Sequence, residues 1–338
     1  MKTVFVYELL SGGGGAELEG DDSAMHELTL LGTDMRDALV VDLLALENVA
    51  VTCAVATPDP PPRIAEGLRL KACAPRARES AVEFVGRCAR LHDHAWIVAP
   101  ESAGTLARLC DAVAPSRWLG CARPAIVLTG SKQATARQLA QHGIAATQPW
   151  EPQAKVDPRS DTWVVKPDDG AGATETRVHR SFAAAAADYS ARLARKQLAV
   201  LEPWVEGEAL SVSVLCSGDS GELLSINRQT IDVDRGGALT YRGVLVNAIE
   251  CRGWQGQELR QLAQRVIGAV PGLQGFVGID VVWHPYLGPV VIEINPRVTC
   301  AYVGLSAALR RNLARDVLQI FDRTGAGRFA GATMGMAH

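Results

Sequence analysis

Apolar and polar residues follow one clear pattern in the first part of the chain. Short apolar runs alternate there with segments of helix-like apolar spacing, and this alternation predicts strands and helices in turn. The predicted strands lie at 3–7, 49–57 and 96–99, the helices at 24–46, 79–91 and 102–113, and a proline-rich turn at 58–63. Strands that alternate with helices favour a parallel, doubly wound α/β sheet.

The pattern changes near Trp163 to apolar strands that follow one another closely. A strand at 125–129 and a helix at 131–142 come before this change. The later strands are predicted at 162–167, 198–205, 209–216, 222–230, 241–249, 275–283 and 289–295, and the helices at 181–196, 254–270 and 304–321. This order indicates a mixed α+β architecture.

These patterns divide the chain near residue 125. The expected parts are an amino-terminal α/β domain over 1–125, a central subdomain with a glycine-rich loop over 126–200, a carboxy-terminal subdomain over 201–325, and a tail over 326–338. No internal repeat is visible.

The composition is that of a globular protein. Of 338 residues, 48% are hydrophobic and 21% are charged, which excludes predominant disorder. The formal net charge of -3 provides no basic field, so nucleic acid is not an expected partner. Because no apolar run is long enough to span a bilayer, we expect a cytoplasmic protein without a membrane partner.

Eight cysteines are scattered through apolar stretches, and none belongs to a Cys-x-x-Cys pair. This arrangement indicates buried free thiols rather than a zinc cluster or a redox dithiol. His92 and His94 form a His-x-His pair without a third ligand nearby, which is more typical of a polar turn than of a metal site.

The residues from 275 to 297 carry the clearest chemical signal. Two apolar runs flank a short turn, which predicts a β-hairpin. A turn centred just after Tyr286 places Asp280 opposite Glu293. Asn295, two residues further on, shares that face.

Carboxylates placed this closely need compensation. At a separation of about 5 Å they repel by roughly 3 kcal/mol if the effective dielectric constant is about 20. A divalent cation removes this repulsion, and three hard oxygen ligands suit Mg²⁺, whose other positions are filled by water and phosphate oxygens. A solvated polar face is the alternative, but the apolar residues that flank both strands favour the metal.

Cations suited to phosphate binding lie near the predicted element ends, at Lys132, Lys166 and Arg297. Lys166 ends a strand and precedes a loop with Gly170 and Gly172, whose amide groups can fold over a phosphate chain. The loop matches neither GxxxxGK[ST] nor GxGxxG. An ordinary hairpin loop therefore remains an alternative at this position.

The order of these segments resembles the ATP-grasp superfamily of carboxylate-amine ligases over residues 95–320. That family has a first lysine, a second lysine in KPxxGxG, a hinge strand with an acidic residue and an aromatic, and metal ligands in the order D…ExN. The matching segments are TGSKQATARQL, VVKPDDGAG, LEPWVEGEALSVSV, and Asp280 followed by EIN. The resemblance implies an ATP-grasp fold preceded by a doubly wound pre-ATP-grasp domain.

The resemblance implies how ATP would be held. Lys132 and Lys166 would contact the phosphates under a loop from Asp168 to Thr174, which contains the two glycines named above. Glu202 would meet the adenine amino group, although an exposed strand charge is the alternative there.

The backbone near Trp204 and Val205 would pair with the adenine ring edge. Glu208 is the candidate ribose ligand, because Ala209 occupies the position that holds this acid in several relatives.

The resemblance also implies the metal ligands and the catalytic residues. Asp280, Glu293 and Asn295 would hold Mg²⁺, with two ions expected and Mn²⁺ able to substitute. The implied catalytic residues are Arg297, which would support the phosphoryl group, together with Arg228 and Lys166. Arg228 would replace an arginine that some relatives carry at the position of Gly278, and a surface arginine is the alternative interpretation.

At a finer level, the sequence resembles the tyramine-glutamate and tyrosine-glutamate ligases of methanofuran and methylofuran biosynthesis. The segments VYELLSGGGG, APESAGTLARL, SINRQT and INPRVTCAYVG carry this likeness. It implies L-glutamate as the carboxylate and tyrosine or tyramine as the amine. The candidate substrate contacts are Glu8, Arg228, Tyr241 and Arg242.

The expected reaction joins the two substrates through an acyl phosphate and releases ADP and phosphate. Other interpretations stay open: a ligase for another amino-acid pair, a small-molecule kinase on the same fold, and a nucleotide-binding module without catalysis. The expected partners are small-molecule substrates, and a homodimer is an expectation at family level only.

Overall fold

The computed structural model describes residues 1–15, 22–56, 69–151, 160–169 and 173–332, with side chains left out at 22–24 and 324–332. The strands are β1 (Lys2–Glu8), β2 (Val49–Ala54), β3 (Leu70–Cys73), β4 (His94–Val98), β5 (Trp163–Pro167), β6 (Arg177–His179), β7 (Ala199–Pro203), β8 (Glu208–Ser217), β9 (Ser220–Val233), β10 (Leu239–Ile249), β11 (Gly275–His284) and β12 (Gly288–Asn295). The α-helices are α1 (Asp22–Leu44), α2 (Ala81–Ala89), α3 (Thr105–Asp111), α4 (Arg123–Thr129), α5 (Lys132–Gln141), α6 (Phe182–Ala194), α7 (Trp254–Ala269), α8 (Leu305–Leu309) and α9 (Leu313–Ala332).

The chain divides into two compact units. The first contains residues 1–99, 106–121 and 297–338, and the second contains 100–105 and 122–296. The domain boundaries expected from the sequence stay a prediction. None of the helices in the described ranges is both long enough and apolar enough to cross a membrane.

The first unit is built on a parallel four-stranded sheet in the order β3-β2-β1-β4. Val4, Phe5, Val6 and Tyr7 on β1 are fully buried, as expected for an inner strand of a parallel sheet that is covered on both faces. Phe84 on α2 packs edge-on against Phe5 and Tyr7. The predicted parallel α/β arrangement is confirmed.

The structure corrects two predicted elements. Residues 125–129 were expected to form a strand but belong to α4, because Pro124 lies in the first turn of a helix, where its fixed φ and missing N–H are tolerated. The helix expected at 304–321 is interrupted at Arg310, which adopts a left-handed φ of 53° and separates α8 from α9. The predicted turn at 58–63 lies outside the described residues.

A small antiparallel sheet in the order β6-β5-β7 lies in the second unit. Its apolar face consists of Trp163, Val165 and Leu201, which pack with Ala185 of α6. The ring of Phe182 meets Trp163 edge-on with centroids 5.1 Å apart. Side chains alternate along a strand, so Lys166 and Glu202 point to the other face.

The larger sheet of the second unit is antiparallel, in the order β10-β9-β8-β11-β12. One face carries buried apolar side chains, including Val212, Ile226 and Ile279, and α7 packs against β8, β9 and β12. The alternate positions on β8 and β9 are polar but also buried, among them Ser211 and Asn227. The sheet therefore has an apolar side and a buried polar side.

The hairpin of β11 and β12 confirms the predicted pairing of Asp280 with Glu293. Near the turn, however, Trp283 lies opposite Pro289. The turn is therefore centred on Tyr286, whereas the prediction centred it between Tyr286 and Leu287. A β-bulge next to Asp280 inserts Ile292 and restores the expected register. The bulge explains why the pairing is right although the turn is not.

Gly207 enters β8 with a φ of 150°, and a Cβ atom there would lie 2.3 Å from the carbonyl oxygen of Trp283. Gly218, between β8 and β9, has a φ of 60° but open space around it. We expect Gly218→Ala to lower the free energy of unfolding by about 1 kcal/mol through backbone strain. Gly207→Ala should lower it by roughly 2 kcal/mol more, because it adds a clash with backbone.

Urea unfolding of both variants measures the difference. Equal losses in the two variants would mean that the Trp283 carbonyl moves aside freely, which contradicts the close approach described here.

Candidate active site

The polar side of the larger sheet carries a row of four side chains at matching positions on neighbouring strands. Asn227 on β9 lies opposite Ser211 on β8, Ser211 lies opposite Asp280 on β11, and Asp280 lies opposite Glu293 on β12. Because residues directly opposite in a sheet point to the same face, the row brings both carboxylates to one side. Asn295 lies two positions beyond Glu293 on the same face.

Two amide groups hold the carboxylate of Asp280. The Gln229 Nε2 atom donates to Oδ1 at 3.0 Å, and the Asn295 Nδ2 atom donates to Oδ2 at 3.0 Å. Sequence reasoning missed Gln229 and selected its neighbour Arg228. Alternation in SINRQT could have found it, since residues 225, 227 and 229 share one face.

Lys132 faces this row from the first residue of α5. Its ammonium lies 3.2 Å from Oε1 of Glu293, and its side chain is 9% exposed. Burial lowers the pKa of this ammonium, but the carboxylates of Glu293, Glu101 and Glu202 outweigh burial and leave the pKa above its ordinary value. Lys132 is therefore charged and surrounded by acidic groups.

Lys166 and Glu202 form a second buried ion pair on the smaller sheet. Val164 is the residue directly opposite Glu202, so Lys166 meets the carboxylate diagonally across the two strands. The ammonium lies 2.5 Å from Oε1, and the side chains are 7% and 4% exposed. Because Glu202 also raises the pKa of Lys132, the two ion pairs belong to one charged cluster.

The residue after β5 fixes the start of α5. The Asp168 carboxylate accepts hydrogen bonds from the Ser131 hydroxyl group and from the backbone N–H of Gln133, both at 2.8 Å. Its carbonyl oxygen accepts the Lys132 amide at 3.0 Å. Asp168 thus brings Lys132 next to the end of the strand that carries Lys166.

The neighbouring Asp169 accepts a hydrogen bond from the Ala103 amide at 2.8 Å. Gly170 and Gly172, which were expected to fold over phosphates, lie outside the described residues.

The structure does not bring Arg228 and Glu208 to this cluster. They pair with each other at 2.5 Å, with side chains 49% and 36% exposed. Arg228 lies opposite Leu210, so both residues are on the apolar side of the sheet, away from Asp280. The ribose and catalytic roles expected of them stay predictions without support from this geometry.

The other substrate candidates belong to three-stranded or larger sheets of different units. Tyr241 and Arg242 belong to β10, and Arg242 pairs with Asp232 at 3.0 Å in an exposed contact. Glu8 lies in the first unit, where it accepts hydrogen bonds from Ser11 at 2.8 Å. Burial raises the pKa of Glu8.

Three further candidate site residues lie just after the ends of strands. Trp204 and Val205 come after β7, and the Trp204 amide donates to the Thr162 carbonyl at 2.9 Å. Arg297 belongs to the first unit, and its guanidinium donates to the Val298 carbonyl at 3.2 Å. The roles expected of these residues stay predictions.

The donor set of the row fits a divalent metal of the magnesium type. Asp280 and Glu293 supply carboxylate oxygens from adjacent strands, and Asn295 supplies an amide oxygen close by. Across the described ranges, no group of three or more His, Cys, Asp or Glu residues forms a metal cluster. An incomplete protein shell is typical of Mg²⁺ sites that use substrate phosphates as ligands.

The ATP-grasp domain model matches residues 129–301, and the pre ATP-grasp 3 domain model matches residues 49–126. The charged cluster and the acidic row lie within the first of these segments, apart from Glu101. The matched ATP-grasp segment covers half of the chain.

Two relatives are tyramine–L-glutamate ligases. The one from Methanocaldococcus fervens is 27% identical over 215 residues, which cover 63% of this chain and 61% of that protein. The one from Methanocaldococcus jannaschii is 29% identical over 215 residues, which cover 63% and 58%. The match thus spans about three fifths of the length of these relatives.

The fold is also similar to a solved ATP-grasp superfamily protein from Archaeoglobus fulgidus. The TM-score is 0.65 at 21% sequence identity, with 94% of this chain and 88% of that chain covered. This likeness confirms the expected fold. With the family model matching half of its length, the chain belongs to the ATP-grasp family.

Proposed function

We propose that this protein is an ATP-dependent ligase that joins a carboxylate to an amine and releases ADP and phosphate. The observation that carries the proposal is the cluster of two buried lysines and the acidic row in one unit. Such a site offers positive charge to phosphates and oxygen ligands to a divalent cation, which are the two requirements of phosphoryl transfer.

The chemistry follows from the weakness of a carboxylate as an electrophile. Transfer of the γ-phosphoryl group to a carboxylate oxygen breaks the bond between the β-bridging oxygen and the γ-phosphorus, and it yields an acyl phosphate and ADP. The amine nitrogen then attacks the acyl carbon, phosphate leaves, and the amine loses a proton. The product is an amide, with one ATP consumed per bond.

The described residues support this sequence of steps through charge. Lys132 and Lys166 are paired with Glu293 and Glu202, respectively. In the complex, phosphate oxygens of ATP would bind the same two ammonium groups. The Glu202 carboxylate would then accept a hydrogen bond from the adenine amino group. A magnesium ion held by Asp280, Glu293 and Asn295 would neutralise charge that builds up on the phosphoryl oxygens.

L-glutamate is the proposed carboxylate, and tyramine or tyrosine is the proposed amine. The names of the two Methanocaldococcus relatives support this choice. A role in methanofuran-type cofactor synthesis remains a prediction from the sequence.

Mass spectrometry of the products tests the proposal directly. Purified protein is incubated with Mg-ATP, L-glutamate, and either tyramine or tyrosine, and each component is omitted in turn. A product with the summed mass of both substrates minus water, formed with equal amounts of ADP and phosphate, supports the ligase. A phosphorylated substrate that persists without the amine would instead indicate a kinase, and ATP binding without turnover would indicate a binding module.

Glu293 provides the sharpest test of the metal ligands. We expect Glu293→Gln to lower ADP formation at least about 100-fold, because charge stabilisation of the phosphoryl group is lost. The matched control is Glu258→Gln, which changes an exposed glutamate on α7 and should leave the rate unchanged. A folded Glu293→Gln protein with nearly normal turnover would refute the assignment.

Lys166 provides a test of nucleotide binding. Lys166→Met should weaken ATP affinity about tenfold or more in calorimetry, because a charge-assisted contact to phosphate is removed. The change also leaves Glu202 buried beside an apolar group, so the comparison is made in a Glu202→Gln background. Lys196→Met, at an exposed lysine, serves as the control, and equal affinity in the two lysine variants would contradict the role of Lys166.

A further inference from the structure

Two of the cysteines lie in contact within the first unit. Cys73 is the last residue of β3, and Cys88 lies in the last turn of α2. Their Sγ atoms are 3.9 Å apart. The sequence placed these thiols fifteen residues apart without a Cys-x-x-Cys spacing, so only the packing of the strand and the helix brings them together.

The two thiols differ in access to solvent. Cys73 is partly exposed, whereas Cys88 is buried. Cys73 is therefore the residue of the pair that is more exposed to a small reagent. A disulfide needs a bond of about 2.0 Å, so the sulfurs have to approach each other. Among the described strands, β3 lies at the edge of its sheet.

The surroundings of the pair lower the pKa of Cys88 and raise that of Cys73. The hydrogen bond from the Cys73 thiol lowers the pKa of Cys88, and the Arg87 guanidinium lowers it further, against the opposing effect of burial. The same hydrogen bond and burial raise the pKa of Cys73. Two ionic contacts to Glu79, at 2.6 and 2.7 Å, hold Arg87 in place.

We propose that Cys73 and Cys88 are an oxidation site that forms an intramolecular disulfide by exchange with low-molecular-weight disulfides. In the first step the Cys73 thiol gives up its proton, its sulfur attacks the reagent disulfide RSSR, and the departing RS⁻ takes up a proton as RSH. The result is a mixed disulfide on Cys73. In the second step the Cys88 thiol gives up its proton, its sulfur attacks the Cys73 sulfur, and the second RS⁻ departs and is protonated to RSH.

The balance of the exchange is complete with the reagent as oxidant. Two protein thiols are oxidised to one disulfide, and one RSSR is reduced to two RSH. The bond would tie the edge strand β3 to α2 and close a short loop of the chain.

Cys53 on β2 is the competing partner within this sheet. It lies opposite Ala72 and is almost fully buried, and burial raises its pKa to about 11. Its thiol donates to the Ala54 carbonyl. These features favour Cys88 over Cys53 as the thiol that resolves a mixed disulfide on Cys73.

The experiment treats the full-length protein with oxidised glutathione, blocks remaining thiols, and maps the unreduced digest by mass spectrometry. We expect wild-type protein to become lighter by two hydrogen atoms, with a Cys73–Cys88 cross-linked peptide and little bound glutathione. Cys88→Ser should instead retain one glutathione on Cys73. Cys110→Ser, which changes another partly exposed cysteine, should form the cross-link as wild type does.

Three results would overturn the proposal. Wild-type protein that keeps glutathione on Cys73 would mean that Cys88 does not resolve the mixed disulfide. A peptide that joins Cys73 to Cys53 would assign the wrong partner. Wild-type protein without any cross-link, under conditions that modify an unfolded control completely, would show that the two sulfurs do not react in the folded chain; this result needs no variant to fold.

Discussion

The second unit depends on the burial of positive charge beside negative charge. Lys132 and Lys166 lie almost entirely out of water, and each has a glutamate from another element as its partner. An isolated ammonium group in such a place would lose its proton or destabilise the fold. The sheets and α5 must therefore bring two lysines and two glutamates together, and the positions of these side chains are coupled. Removing one partner of a buried pair is strongly destabilising, typically by about 3–5 kcal/mol.

This coupling agrees with the proposal that the site binds an anionic ligand. Buried ion pairs contribute little net stability compared with apolar packing of the same volume, so stability alone does not account for these two. A polyphosphate with its metal ion carries both signs of charge and can exchange for the internal partners without leaving any group uncompensated. Asp168, which fixes the start of α5 through Ser131 and Gln133, holds Lys132 in the position that the proposed exchange requires.

The sequence predicted what depends on local periodicity. Alternation in β11 and β12 predicted both strands, but the pairing of Asp280 with Glu293 was right only because the bulge at Ile292 offsets the misplaced turn. The helix α4 was missed because the apolar run at Ile126 and Val127 suits a strand and a helix equally. Residues that meet through packing carried no such signal: the contact of Cys73 with Cys88 depends on how a helix lies on a sheet edge. The sequence prediction named Arg228 because that residue is charged. Alternation along β9 instead places its neighbour Gln229 on the face that carries Asp280.

The bulge at Ile292 has a consequence for how this hairpin can vary. Strand positions before it follow one register, with Val291 opposite Val281, and positions after it follow another. Deleting Ile292 would remove the bulge and place Glu293 directly after Val291, so that Glu293 would still lie opposite Asp280 and Asn295 would keep its face. Inserting one residue between Ile292 and Glu293 has no such compensation and would turn Glu293 and Asn295 toward the helix side. The hairpin should therefore accept the loss of one residue at this position far more readily than the gain of one.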